Sequence, residues 1–192
     1  RELGYAIKLL AVAKCEGSEL ELRVHPTLIS QRHLLSSVNG IYNAIYVSGD
    51  LIDDQVFYGK GAGMFPTASA VVSDIGDLVD ALKEGVLADK PQLTYKTNIR
   101  RIRGISEISS RYYIRFMAID KPGVLAKVSG ILGQHKISIA SVSQKERKSA
   151  RSVPIVMMTH EANERHLRLA LEQIDRLGII RKKTVALRVE RL

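Results

Sequence analysis

Residues 111–192 constrain the fold more than any other part of the chain, because strand-like and helix-like patterns alternate there. The strand-like run "YYIRFMAI" is followed by "GVLAKVSGILGQH", whose apolar residues share one helical face. Two further strand-like runs, "ISIASVSQ" and "VPIVMMTH", precede a second helical stretch, "ANERHLRLALEQIDRLG", and "TVALRVERL" predicts a last strand. The order β-α-β-β-α-β predicts an α+β domain in which two helices cover one face of an antiparallel sheet.

Residues 1–108 show a less regular pattern of strands and helices. The apolar spacing of "ELGYAIKLLAVA" predicts a helix, and "LELRVHPTLI" predicts a strand that ends at Pro26. Two β-rich runs around "SGDLIDD" predict a hairpin. The stretch "PTASAVVSDIGDLVDALKEG" predicts a long helix with Pro66 in its first turn and Gly85 at its end.

The loss of hydrophobic order after the long helix predicts the domain organisation. Residues 89–110 have no clear period and many basic residues, so we predict a linker there. The linker would join a first domain at residues 1–88 to a second at residues 111–192.

The net charge of +9 suggests nucleic acid at first sight. All of the excess lies in residues 109–192, mainly in "QKERKSAR" and "RLGIIRKK". This clustering is more typical of a solvated loop and a helix end, and aromatic residues for base stacking make up only 5% of the chain. We therefore expect no nucleic-acid partner.

Other features of the composition favour a cytoplasmic protein. No apolar run approaches the roughly 20 residues that span a bilayer, so we expect no membrane partner. Cys15 is the only cysteine, which excludes an internal disulfide and a cysteine-based metal cage. His25 and His33 are too isolated in the sequence to suggest a metal site, and a structural role is expected for both.

The stretch "AIDKPGVLAKVSGIL" raises the first functional hypothesis, because Pro122 and Gly123 stand where a helix begins. Unpaired amide groups at a helix start favour an anion such as a carboxylate, and Asp120 could accept from an ammonium group. These residues also fit a second interpretation, in which Asp120 simply caps the helix.

The second module resembles a known family. "DKPGVLAKVSGILGQHKISIASVSQ", together with the element order, is similar to the ACT domain, a ferredoxin-like module that binds amino acids in many biosynthetic enzymes. The resemblance implies that two copies pair through their sheets and that an effector binds between them. The residues that it places at this site are Asp120, Lys121, Pro122, Gly123, Val124 and Leu125 in the loop and helix start, and Ile139, Ala140 and Ser141 in the second strand.

A glycine cluster before the long helix, "YGKGAGMFPTASAVVSD", has two interpretations of its own. It could be a tight loop that packs against the helix, or a loop that approaches a dinucleotide. The cluster does not follow the usual nucleotide-binding fingerprint.

The order of motifs along the whole chain resembles the C-terminal part of the bacterial homoserine dehydrogenase family. These motifs are "GYAIKLLAVAK", "LELRVHPTLIS", "GIYNAIYVSGD" and "YGKGAGMFPTASAVVSD", followed by the ACT-like module. The resemblance implies a sheet-and-helix domain for substrate binding and dimerisation, with Gly61 and Gly63 near an NAD(P) cofactor. It further implies interconversion of aspartate semialdehyde and homoserine, in threonine and methionine biosynthesis, by a homodimer or homotetramer under feedback control by threonine.

The family's nucleotide fingerprint and its "GxDAxxKL" segment, which carries the catalytic lysine and a substrate-binding acid, are absent from this sequence. We therefore predict a C-terminal fragment that contains no catalytic residue and no metal ligand. Alone, the fragment would be inactive and would bind no cofactor. The alternative is a free-standing regulatory protein that binds amino acids through an ACT domain.

Overall fold

A computed structural model of the chain describes residues 3–85, 98–144 and 152–192. The chain divides into two compact units, residues 1–31 with 98–192 and residues 32–97. Residues 1–31 therefore pack with the C-terminal module. The division of the chain into domains at residues 88 and 110 stays a prediction. Of the predicted linker, residues 89–97 lie outside the described residues.

The first unit is built on one mixed sheet. Its strands are β1 (Tyr5–Glu16), β2 (Glu19–Ser30), β5 (Arg101–Ile102), β6 (Ser109–Ala118), β7 (Ile139–Gln144), β8 (Val153–Thr159), β9 (Ala162–Asn163) and β10 (Ile180–Val189). The main order is β1-β2-β10-β6-β8-β7, with β5 against β2 and β9 against β6. The helices are α2 (Val124–Gln134) and α3 (Glu164–Asp175). The predicted β-α-β-β-α-β order and the α+β class are confirmed.

The predicted N-terminal helix is wrong, because Tyr5–Glu16 is a strand. All twelve of its residues pair with β2, from Tyr5 opposite Ser30 to Glu16 opposite Glu19. The apolar run is nearly continuous and fits either period, so the pairing with β2 decides the structure. The expectation that Pro26 ends the strand is also wrong. Proline is tolerated there because β2 pairs with β10 only from Thr27 onward, which leaves that edge open at Pro26.

The main core lies between the sheet and its two helices. Its fully buried side chains include Phe116 and Ile114 from β6, Leu132 from α2 and Ile174 from α3. Asn163 fixes the start of α3, since its side chain accepts from the amide nitrogens of Arg165 at 3.0 Å and His166 at 3.4 Å.

The β1–β2 hairpin is joined to the residue after β10 by a largely buried group of charges, which we call the Arg23 cluster. It comprises Lys14, Glu21, Arg23 and Glu190. The guanidinium of Arg23 pairs with both carboxylates, and Lys14 also contacts Glu190. The side chains of Arg23, Glu21 and Glu190 are 2%, 8% and 3% exposed, so this is an ion-pair network of the interior.

The opposite face of the hairpin is apolar and open. Residues that pair as Ile7–Leu28, Leu9–Pro26, Ala11–Val24 and Ala13–Leu22 share this face. Ile7, Leu9 and Val24 are 61%, 72% and 70% exposed. We call this surface the hairpin apolar face, defined by Ile7, Leu9, Leu22 and Val24.

The second unit contains β3 (Tyr42–Gly49), β4 (Asp53–Lys60) and α1 (Met64–Lys83). The predicted hairpin and long helix are confirmed. His33 has the structural role expected of it: its Nδ1 accepts from the amide of Leu35 at 3.2 Å, and its ring meets that of Tyr46 edge-on. In the part of the chain that the structure describes, no helix combines the length and apolar character needed to cross a membrane.

Candidate functional site

The candidate effector site begins in the loop after β6. Gly123 precedes the first residue of α2 with a φ of 85°, a left-handed conformation that glycine adopts without strain. No side chain caps the helix. Asp120 is therefore not the capping residue that the simpler interpretation required.

The space over the helix start is open. A Cβ atom built on Gly123 would meet no other group within 4 Å, and Asp120, Lys121 and Pro122 are exposed. Leu125 is 41% exposed, whereas Val124 is 5% exposed and packs into the core. Of the six predicted residues in this loop and helix start, Val124 can thus offer a ligand only its backbone. The partial positive charge of the helix start and the open approach suit a small anion.

The other predicted wall is β7, the edge strand of the sheet next to β8. Ile139 is half-buried against the core, whereas Ala140 and Ser141 are exposed. Ile139 pairs with Thr159 and Ser141 with Met158, which leaves Ala140 as the extra residue of a β-bulge. Within the described residues, the outer edge of β7 carries no strand partner.

The strand register shows that one chain does not bring the two walls together. The loop follows Ala118, which pairs with Val153 at one end of β8. Ile139 pairs with Thr159 at the other end of the same strand. Six residues of extended strand separate these ends, a distance of about 20 Å. Asp120–Leu125 and Ile139–Ser141 therefore lie at opposite ends of the sheet within one chain.

The glycines predicted near a cofactor have structural roles in the second unit. The amide of Gly61 donates to the carbonyl of Ile41 at 2.8 Å, and a Cβ there would fall 1.9 Å from the side-chain nitrogen of Asn43. Gly63 precedes α1 with a φ of 128° and lies against Pro66. These contacts fit the interpretation of a tight loop that packs against its helix. The described residues contain no cluster of three or more possible metal ligands.

Comparisons with known proteins agree with this architecture. Residues 1–75 match the family "Homoserine dehydrogenase", and residues 112–179 match the family "ACT domain". Over its whole length the chain is similar to homoserine dehydrogenases. Homoserine dehydrogenases of Neisseria gonorrhoeae and Pseudomonas aeruginosa are 39% and 41% identical to it over 100% and 99% of its length.

Solved structures of homoserine dehydrogenases show the same fold. The enzyme from Thiobacillus denitrificans is 38% identical, covers 98% of this chain and superposes with a TM-score of 0.83. The Staphylococcus aureus enzyme at pH 6.0 is 29% identical over the whole chain, with a TM-score of 0.58. The chain spans 45% of the length of each of the two relatives from Neisseria and Pseudomonas, and 43% of each solved chain.

Two polar features escaped the sequence-based reasoning. The Arg23 cluster joins residues as far apart as Arg23 and Glu190, which no local motif connects. His25 was expected to be an ordinary structural histidine, but its Nε2 is buried without a hydrogen-bond partner among the described residues. The sequence signal for both features is the alternation of β2, which places a polar residue at every second position from Glu19 to Thr27.

Proposed function

We propose that this chain forms the dimerisation and regulatory part of a homoserine dehydrogenase that interconverts aspartate semialdehyde and homoserine with NAD(P)H. Similarity to enzymes of this name over 99–100% of this chain supports the proposal. The reaction serves threonine and methionine biosynthesis in the cytoplasm. We expect the chain alone to be inactive and to bind no cofactor, because the family's nucleotide fingerprint and its segment with the catalytic lysine are absent from this sequence.

The regulatory site forms between two chains, and threonine is its effector. The observation that carries this proposal is the separation of about 20 Å between the two predicted walls within one chain. If two β7 edges pair antiparallel, the loop of one chain approaches Ile139–Ser141 of the other. The open edge of β7 and the uncapped start of α2 suit such a site.

The hairpin apolar face supports a larger assembly, a homodimer or homotetramer. Its four large side chains are 48–72% exposed and lie on neighbouring strands, an arrangement that is unusual for a surface that faces water. Helix α1 likewise exposes apolar residues, among them Phe65 at 78% and Val72 at 68%. In the proposed enzyme α1 packs on the nucleotide-binding domain, and the loop with Gly61 and Gly63 lies near the cofactor.

Assays of the complete enzyme with and without L-threonine test the regulation. We expect the rate to fall as threonine rises into the millimolar range, and an unchanged rate contradicts the feedback proposal. Gly123→Asp should remove the inhibition, because its carboxylate would lie where the effector carboxylate binds. Gly123→Asn is the matched control, since asparagine tolerates a left-handed φ and adds no charge. Equal loss of inhibition in both variants would point to a damaged helix start.

The alternative is a free-standing regulatory protein. The observation that favours it is that residues 1–31 and 98–192 form one compact unit with a core of their own. A gene that encodes a nucleotide-binding domain in the same reading frame, and dehydrogenase activity of its product, would exclude this alternative.

A further inference from the structure

The β1–β2 hairpin belongs to different parts of the molecule by sequence and by structure. Its residues lie within the stretch 1–75 that matches the dehydrogenase family, whereas the ACT match covers residues 112–179. In the structure, residues 1–31 form one compact unit with residues 98–192, and residues 32–97 form another. A segment of the dehydrogenase-like part is therefore built into the module that contains the proposed effector loop.

Strand β10 connects that loop with the hairpin. Just before β10, the carbonyl oxygen of Ile179 accepts from the amide of Ile119, the neighbour of Asp120, at 2.9 Å. Just after β10, the amide of Glu190 donates to the carbonyl oxygen of Leu28 in β2, also at 2.9 Å. The two ends of one strand thus make backbone hydrogen bonds to the effector loop and to the hairpin.

The pairing of β10 with β6 is uneven along its length. Two register irregularities interrupt the pairs between Ile180 and Val185, which leaves residues of β10 without a partner on β6. From Val185 to Val189 every residue pairs in turn, from Arg115 back to Arg111. The half near the effector loop can therefore shift when the loop binds a ligand, and the regular half near the hairpin moves as one piece.

The backbone contact between β10 and the hairpin is short. Two residue pairs, Arg188 with Thr27 and Val189 with Leu28, make up this parallel ladder. Parallel pairing is slightly less stable per residue than antiparallel pairing. Tyr5 packs against the same contact, where Leu28 meets Val189. All of these hairpin residues lie at its open end, so the ladder alone holds only that end to β10.

Glu190 extends the connection to the middle of the hairpin. Its carboxylate pairs with Arg23 of β2 and with Lys14 of β1, so it contacts both hairpin strands. Arg23 lies four residues before Thr27, outside the paired stretch. Glu21, the remaining member of the Arg23 cluster, also lies on β2, so Glu190 is the member that joins the hairpin to the C-terminal module. Arg23 and Glu190 are buried, where solvent screens an ion pair much less than at the surface.

We propose that β10 and the Arg23 cluster transmit effector binding from the loop at Asp120–Leu125 to the hairpin. The effector shifts the irregular half of β10, and Glu190 makes the hairpin follow through Arg23 and Lys14. The hairpin then changes the dehydrogenase part to which its sequence belongs. In this role Glu190 is a positioning residue for regulation. The inference rests on the proposed function, because it needs an effector that binds the two positions of β10 unequally.

Replacing Glu190 by leucine removes the contact that crosses from one part to the other and should leave the fold intact. Arg23 keeps Glu21 as its partner, and Lys14, which is 41% exposed, can turn to water. The measurement is the inhibition ratio of the complete enzyme, which is its rate without L-threonine divided by its rate at saturating L-threonine. Allosteric coupling commonly amounts to a factor of about 5–150, so we expect a ratio in this range for the wild type and of about 1 for Glu190→Leu. Calorimetry should show that the variant still binds L-threonine, no more than about threefold more weakly.

Two further variants separate coupling from folding. The triple variant Arg23→Met, Glu21→Leu, Glu190→Leu removes all three buried charges together, so it leaves no buried charge without a partner. It should bind L-threonine and lose the inhibition, as Glu190→Leu does. Arg101→Met is the matched control, because it removes an exposed ion pair between β5 and the hairpin residue Glu19 without touching β10. This control should keep the inhibition ratio of the wild type.

The possible results distinguish this inference from the proposed function. A wild-type enzyme that L-threonine does not inhibit would overturn the feedback proposal and this inference with it. An inhibition ratio within about twofold of the wild type in both Glu190→Leu and the triple variant would overturn this inference alone. Loss of L-threonine binding in both variants would also overturn it, because the cluster would then support the effector site itself. Equal loss of inhibition in Arg101→Met would overturn it as well, since any weakened contact of the hairpin would then suffice.

Discussion

Replacing Arg23 by methionine removes the guanidinium that joins two buried carboxylates. Methionine is flexible and of similar length, so little cavity is created. Glu190 keeps Lys14 as a partner, but Glu21 loses its only ion pair within the described residues. Leaving one buried charge uncompensated costs about 3–5 kcal/mol, and we expect the free energy of unfolding to fall by that amount.

The same reasoning predicts that the loss of stability comes from leaving Glu21 without a partner, and not from removing the charge of Arg23. Replacing Glu21 and Glu190 by leucine in the Arg23→Met background leaves no buried carboxylate behind. Lys14 remains, but its side chain is 41% exposed and can turn to water. Apolar replacement of a whole buried network is often neutral or stabilising. The triple variant should therefore regain most of the stability that Arg23→Met loses.

Urea unfolding followed by far-UV circular dichroism measures these free energies, with thermal unfolding as a second readout. A loss of about 3–5 kcal/mol corresponds to a fall in Tm on the order of 10 °C for a chain of this size. Arg101→Met is the matched control, because Arg101 is 54% exposed and its ion pairs should contribute about 1 kcal/mol or less. A loss in Arg23→Met no larger than in this control would refute the reasoning, as would a triple variant less stable than the single one.

Three further predictions concern residues of the first unit. Asn163→Ala should lower the free energy of unfolding by about 1 kcal/mol through loss of the α3 cap, and Asn163→Asp should not; thermal melts of both variants decide this. Burial lowers the pKa of His25, so as the pH falls the unfolded chain binds a proton before the folded chain does. The free energy of unfolding should therefore decrease as the pH drops below 6.5. Urea unfolding across that range should show a flatter response in His25→Gln, and identical profiles would contradict it. Tyr112→Phe removes the 2.6 Å hydrogen bond to Glu164 and should lower the free energy of unfolding by about 1 kcal/mol. An unchanged midpoint of urea unfolding would mean that Arg188 alone satisfies this carboxylate.

Local patterns predicted the C-terminal module because each of its segments follows a single period. The apolar residues of α2 predicted to share one face are Val124, Leu125, Val128, Ile131 and Leu132. The structure buries all of them except Leu125, which is 41% exposed. The nearly continuous apolar run "YAIKLLAVAK" fits both the helical and the strand period, so the pairing with β2 decided its structure.

The candidate site shows the same limit. Pro122 and Gly123 are local signals of a helix start, so the loop could be predicted from the sequence. That the loop and Ile139 lie at opposite ends of the sheet follows only from the register of β6, β7 and β8. Nothing local to His25 shows that its Nε2 is buried without a partner, because α3 and β10 come much later in the chain.

The position of β10 has a consequence for how the chain matures during synthesis. Among the strands of this sheet it is the last in chain order, yet it lies between β2 and β6. Arg23 and Glu190 are 167 residues apart, so at about 5–20 residues per second the hairpin waits roughly 10–30 s for its neighbour. During that time β2 and β6 both present open edges, which are the surfaces that chaperones shield and aggregates extend. Translation of β10 therefore supplies the partner for both open edges at once.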